Sequence, residues 1–206
     1  MRVPVVNAAC EPNPSNPQSW LPLVAEPATA DGSRLVYGVL RPEYRGRSNS
    51  AAAFVQAKLQ PVPPIEGGPW SVTAHRVEVL LPEDADDRFG DPRILAEAID
   101  LERPANRPVL LACATITLPA TRLHRQWEVI RGFARAELVE ALGLGVIAVQ
   151  HAPHRAGSDR PAHVHLLVGR KITSLGLAGF AKPLCGDGGF RLIAERLAAY
   201  RAEMGA

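Results

Sequence analysis

Four of the six histidines fall within residues 151–170 (HAPHRAGSDRPAHVHLLVGR), and three of them are spaced to act together. His163 and His165 are two apart, and Val164, Leu166, Leu167 and Val168 around them favour a half-buried strand. Strand side chains alternate faces, so the two imidazoles are expected side by side. His151 follows an apolar run, residues 144–149, that also reads as a strand. Between the two lies PHRAGSDRP, a turn-rich polar loop with Pro153, Gly157, Asp159 and Pro161. Antiparallel pairing across this loop brings His151 beside the other two, so that three imidazoles converge and one side stays open. Such a donor set suits a metal ion that keeps a position free to polarise a phosphate or carbonyl oxygen. A solitary histidine at a strand end is more often a polar residue at the sheet rim. The His-x-His pair in its apolar frame is what points to metal. His154, in the loop, reads as a surface residue or a donor behind the site, and His75 and His124 stand alone.

The elements that position these residues can be followed along the chain. Residues 1–32 are rich in Pro, Asn, Ser and Ala without a lasting period, and read as a poorly ordered N-terminal arm. Residues 33–206 read as one domain. Residues 33–40 (SRLVYGVL) suit a first strand, and Ser48 or Ser50 can cap a short helix ending at Leu59. Arg41, Arg45 and Arg47 lead into that helix; they form either a phosphate-binding approach to its N-terminus or a solvated basic loop. Residues 61–70 are a rigid connector, 71–81 alternate like a strand, 82–93 form an acidic loop, and 94–99 suit a short helix. Residues 108–118 (PVLLACATITL) read as a buried strand closed by Pro119. Thr121 is placed to cap a helix over 122–142, whose Leu123, Trp127, Ile130, Ala134, Leu138 and Ala141 form one apolar stripe. Gly143 supplies its stop. Beyond Ile172 the chain is broken by glycines, and a last helix is expected over 190–204. The whole is an α+β fold, one antiparallel sheet with helices packed against it.

Composition bounds the function classes. The chain has 206 residues, 47% apolar and 21% charged, with a net charge of +2, so overall charge does not announce nucleic acid. Arginine far outnumbers lysine, which occurs only at Lys58, Lys171 and Lys182. Cys10, Cys113 and Cys185 make no CxxC pair and no disulfide framework, as expected in a reducing cytoplasm. No signal peptide and no membrane span is expected, because no apolar run approaches the ~18 residues that a span needs.

Residues 115–170 resemble the core of the MobA/MobL family of plasmid mobilisation relaxases. The likeness is carried by ITLP, WEVIRGFARAELV, VIAVQHAP and PAHVHLLVGRKI, above all by the spacing of His151, His163 and His165. Ala162 between Pro161 and His163 is a small departure from the Pro-His-x-His pattern. The resemblance implies an HUH endonuclease, relaxase-like fold in which His151, His163 and His165 hold a divalent ion, Mg or Mn. It implies single-stranded DNA as substrate, a tyrosine that attacks the phosphate to leave a 5′-phosphotyrosine, and other mobilisation proteins as partners. Gly46-Arg47-Ser48 and Ala51-Ala52-Ala53 match the segment ahead of the family's catalytic tyrosine, but the next residue is Phe54, which has no oxygen to attack phosphorus. Tyr44 is the nearby substitute nucleophile, with Arg45, Arg47 and Arg170 as DNA-binding residues. Where relatives carry an acidic residue on the strand before Leu118-Pro119, this chain has Cys113 and Thr115.

Two other readings stand beside the relaxase. One is a catalytically inactive protein that binds DNA or an intact relaxase, which Phe54 favours. The other is a His-x-His metal phosphoesterase, weakened by Leu167 where histidine-triad hydrolases need a further histidine.

Overall fold

The computed structural model describes residues 3–102, 109–186 and 188–205. Its elements are β1 (Leu23–Ala25), β2 (Arg34–Leu40), β3 (Glu43–Tyr44), β4 (Arg47–Ser48), α1 (Ala51–Leu59), β5 (Arg76–Leu80) and α2 (Pro92–Leu101). They continue as β6 (Leu111–Thr117), α3 (Leu123–Phe133), β7 (Leu144–His151), β8 (His163–Thr173), β9 (Gly176–Leu177) and α4 (Gly188–Glu203). The main sheet runs β1-β2-β6-β8-β7-β5 with β9 added on β8, every pairing antiparallel. The fold is α+β, as expected. The expected start of the third main strand, Pro108, lies outside the described residues, as do residues 1, 2 and 206.

Period-two alternation divides the interior into two cores. Val164, Leu166 and Val168 of β8, with Ala112, Ala114 and Ile116 of β6, pack under Ile130 and Phe133 of α3 and Ile193 of α4. Leu167 of β8, with Leu111 and Cys113 of β6 and Val149 of β7, packs under Phe54 and Val55 of α1 and Leu95 of α2. His163 and His165 have the parity of Leu167, so they lie on the α1/α2 face. One helix pair therefore covers the site and the other insulates the opposite face.

Local chemistry explains the helix that matters most. Ser50 caps α1 by accepting from the Ala53 N–H at 2.9 Å. Two further N–H groups at this end, those of Ala51 and Ala52, donate to the Asp100 carboxylate of α2 at 2.7 and 3.0 Å. The α1 N-terminus is thus occupied by a carboxylate from its neighbour, and the basic approach does not face a vacant phosphate cradle. Arg41, Arg45 and Arg47 lie instead on or beside the β3–β4 hairpin, whose turn puts Arg45 and Gly46 at φ 51° and 77°.

Several boundaries differ from the sequence expectation. Thr121 does not cap α3: Arg122 holds the cap position with no side-chain hydrogen bond, and the Thr121 N–H turns back to the Leu118 carbonyl. The α-helical part of that long helix ends at Phe133 and continues over Ala134–Glu140 with wider π-type turns. The strand expected over 71–81 is shorter, because the Thr73 and Ala74 N–H groups bond the Leu59 carbonyl rather than a sheet neighbour. Within residues 1–32, β1 pairs with β2, Val5 bridges Val24, and Trp20 and Leu21 are buried.

Candidate metal centre

β7 and β8 pair with His151 directly opposite His163 and Val149 opposite His165. β6 runs along the other side of β8, with Thr115 opposite His165. The three imidazoles stand edge to face, with ring centroids 5.2 Å (His151–His163), 4.6 Å (His151–His165) and 4.9 Å (His163–His165) apart. One nitrogen from each ring lies within 4.8 Å of the others, so the three can hold a metal ion. Around a bound ion such nitrogens stand roughly 3–3.5 Å apart, given metal–nitrogen bonds near 2.0–2.1 Å, so the rings would have to draw together to close on one.

Each ring is anchored through one nitrogen, which decides what the other can do. His151 donates from Nε2 to the Lys58 carbonyl at 2.7 Å, leaving Nδ1 with its lone pair. His163 donates from Nδ1 to the Pro161 carbonyl at 3.0 Å, leaving Nε2 as a ligand atom. His165 shares a 2.8 Å hydrogen bond between Nδ1 and the Thr115 hydroxyl, and Nε2 is a ligand atom in the tautomer in which Nδ1 donates. Partners of this kind fix tautomer and ring direction at metal sites. The sequence could not identify them: two are backbone carbonyls, and Thr115 occupies the strand where the resemblance led us to look for an acid.

Electrostatics favours the neutral, ligating form. Burial lowers the pKa of His151 to about 4, and the neighbouring His163 and Lys58 charges act in the same direction. Burial likewise lowers His163 and pushes His165 well below 6.5. Near neutral pH all three rings offer lone pairs without first losing a proton.

The cluster opens into a cleft of about 910 Å³ whose wall contains Lys58, His75, Arg155 and Arg160 and, among the described residues, no carboxylate. His75, which stood alone in the sequence, joins the wall because its N–H pairs with the Gln150 carbonyl at the end of β7; its Nδ1 accepts from Arg155 at 3.2 Å. His154 is exposed on the 3-10 turn over Pro153–Ala156. Lys58 is the residue that sequence reading missed. It is only 3% exposed, and burial lowers its pKa. The signal was present: Ala51, Phe54, Val55, Lys58 and Leu59 recur at i, i+3, i+4, i+7 and i+8, which places a lysine on the buried stripe of α1.

The remaining candidates lie elsewhere. Tyr44 sits on the β3–β4 hairpin, paired with Arg47, and is not among the residues that line the cleft. Arg45 spans the Tyr44 ring at 5.3 Å and holds the Cys10 and Ala8 carbonyls at 2.9 and 2.5 Å. Arg47 stacks on Trp20 at 4.0 Å and reaches Asn49 at 3.2 Å. Arg170 is seven residues along β8 from His163, ~23 Å at the usual strand rise, and donates to the Ala178 and Glu102 carbonyls at 2.6 and 2.9 Å. Phe54 is fully buried, edge-on to Trp20.

No family model matches the chain, and no curated protein matches it. Among solved structures, one described as "Molecular Basis of Vancomycin Resistance Transfer in Staphylococcus aureus" superposes with a TM-score of 0.49 at 20% identity, over 65% of this chain and 73% of that one. Fold and site together define an α+β protein with a three-histidine cluster suited to a metal ion. No helix among the described residues is long and apolar enough to cross a membrane.

Proposed function

We propose that this chain is a relaxase-like, metal-dependent protein acting on phosphodiesters of single-stranded DNA, as its resemblance to the MobA/MobL family implies. The observation that carries the reading is the anchored three-histidine cluster opening into a cleft lined by Lys58, Arg155 and Arg160. A divalent ion such as Mg or Mn, when bound there, supplies polarisation of a phosphate oxygen. His151, His163 and His165 hold and orient through the nitrogens left free by Lys58, Pro161 and Thr115. Arg155 and Arg160 on the cleft wall give a phosphate backbone its counter-charge.

Tyr44 is the candidate nucleophile for a covalent step, and Arg45, Arg47 and Arg170 are candidate strand contacts. Reaching the cleft requires the hairpin to swing. A second reading, a protein that binds the strand without cutting it, is favoured by one observation: Phe54 is packed in the core and Tyr44 lies off the cleft. Incubation with mixed single-stranded oligonucleotides and manganese, read on a denaturing gel, separates them. A protein-linked DNA band lost in Tyr44→Phe and in His163→Ala supports the relaxase. Retarded oligonucleotide in a native gel without any linked band supports the binding protein.

A further inference from the structure

Among the described residues, Lys58 forms no ion pair. It lies on the buried stripe of α1, 3% exposed, and its side chain has no hydrogen-bond partner among the described residues. Its Nζ stands 5.3 Å from the Phe54 ring centroid, and its backbone carbonyl holds the His151 ring. It also lines the cleft, where no Asp or Glu stands among the described residues. Burial of a lysine amine disfavours its charged form, and an anion brought alongside would offset that cost. The cleft that Lys58 lines is also lined by His151, His163 and His165, so an anion held there would lie beside the cluster.

We infer that Lys58 is the floor of a phosphate-binding site, its ammonium holding one non-bridging oxygen of a phosphate group whose other oxygens face the histidine cluster. The inference rests on the proposed function for the phosphodiester, but the Lys58 contact exists with or without a metal ion. It also gives the helix a chemical task that Phe54 cannot perform. The backbone carbonyl of Lys58 sets the tautomer of His151 and its side chain receives the anion, so one residue aligns ligand and substrate. Anion and cation would then help each other, since a phosphate between them screens the repulsion of Lys58 against a bound ion. Such coupling is reciprocal.

Calorimetric titration of the full chain with inorganic phosphate in chelator tests this directly. Phosphate should bind, and Lys58→Met, which places an apolar side chain on an apolar stripe, should weaken it at least tenfold with a urea midpoint no lower than the parent's. Lys58→Arg should recover part of the affinity. Added manganese should tighten phosphate binding in the parent and much less in Lys58→Met. Equal phosphate affinity in parent and Lys58→Met overturns the inference whatever manganese does, and so does a parent that binds no phosphate with or without manganese. Phosphate binding through Lys58 with no manganese binding leaves the inference standing and removes the metal reading. Displacement of phosphate by a short single-stranded oligodeoxynucleotide assigns the anion to a nucleic-acid backbone. Displacement by thymidine monophosphate alone overturns that assignment.

Discussion

At the scale of single residues, the site depends on side chains that touch no substrate. Thr115 holds His165 through its hydroxyl, and removing an outer partner of this kind usually weakens metal affinity by about 10–100-fold. Thr115→Val should therefore lose manganese affinity in calorimetry while keeping its fold, and unchanged affinity would remove Thr115 from the site. The histidines also make stability depend on pH. In the unfolded chain they take up protons near 6.5, whereas His151 in the fold does so at about 4 and His165 well below 6.5. The unfolded state thus binds more protons in this window, so stability falls as pH drops from 6.5 toward 4. The decline is steepest where the unfolded rings are charged and the folded ones still neutral. Urea midpoints measured across this range should decline on acidification, and His165→Asn should flatten the decline; a flat profile in the parent would contradict it. The convergence of His151, His163 and His165 was legible because strand period and loop length determine it. Lys58 was less so, because a lone lysine reads as surface until its position on the helix stripe is counted.

Among elements, α1 depends on a neighbour. Asp100 accepts its first two N–H groups, so α1 and α2 are joined at the end opposite Lys58. Asp100→Ala should cost about 1–3 kcal/mol, the usual penalty for buried donors left unpaired, and hydrogen exchange should show faster amides across α1. Unchanged protection there would show that packing alone holds the helix. The Ser50 cap and the antiparallel β7–β8 pair were readable from sequence, through cap chemistry and alternation. The two-residue strands β3 and β4 and the three-residue β1 were not, since so few residues carry no period. The π-type end of the long helix was also invisible, because its apolar stripe runs on through Leu138.

At the scale of the whole molecule, the sheet separates a helix pair that covers the site from one that only stabilises. The segment before β2 belongs to the site's side: a Cβ on Gly38 would come within 2.6 Å of the Pro22 carbonyl oxygen and 2.8 Å of Leu21. Gly38→Ala should therefore displace residues 20–25, and limited proteolysis should cut within the first 32 residues sooner than in the parent. Equal cutting would mean that these residues are already as open as a free arm. The α+β class followed from the order of elements, whereas the division of the interior into two cores needed the register. All three histidines come from a single hairpin, within 15 residues of one another in the chain. Closing so short a loop is fast and entropically mild, whereas bringing up α1 from 93 residues away is not. An ion could thus nucleate the hairpin early in folding, gripping weakly at first, and bind tightly only when the helix docks and sets the His151 proton. Manganese should then speed refolding more than it slows unfolding.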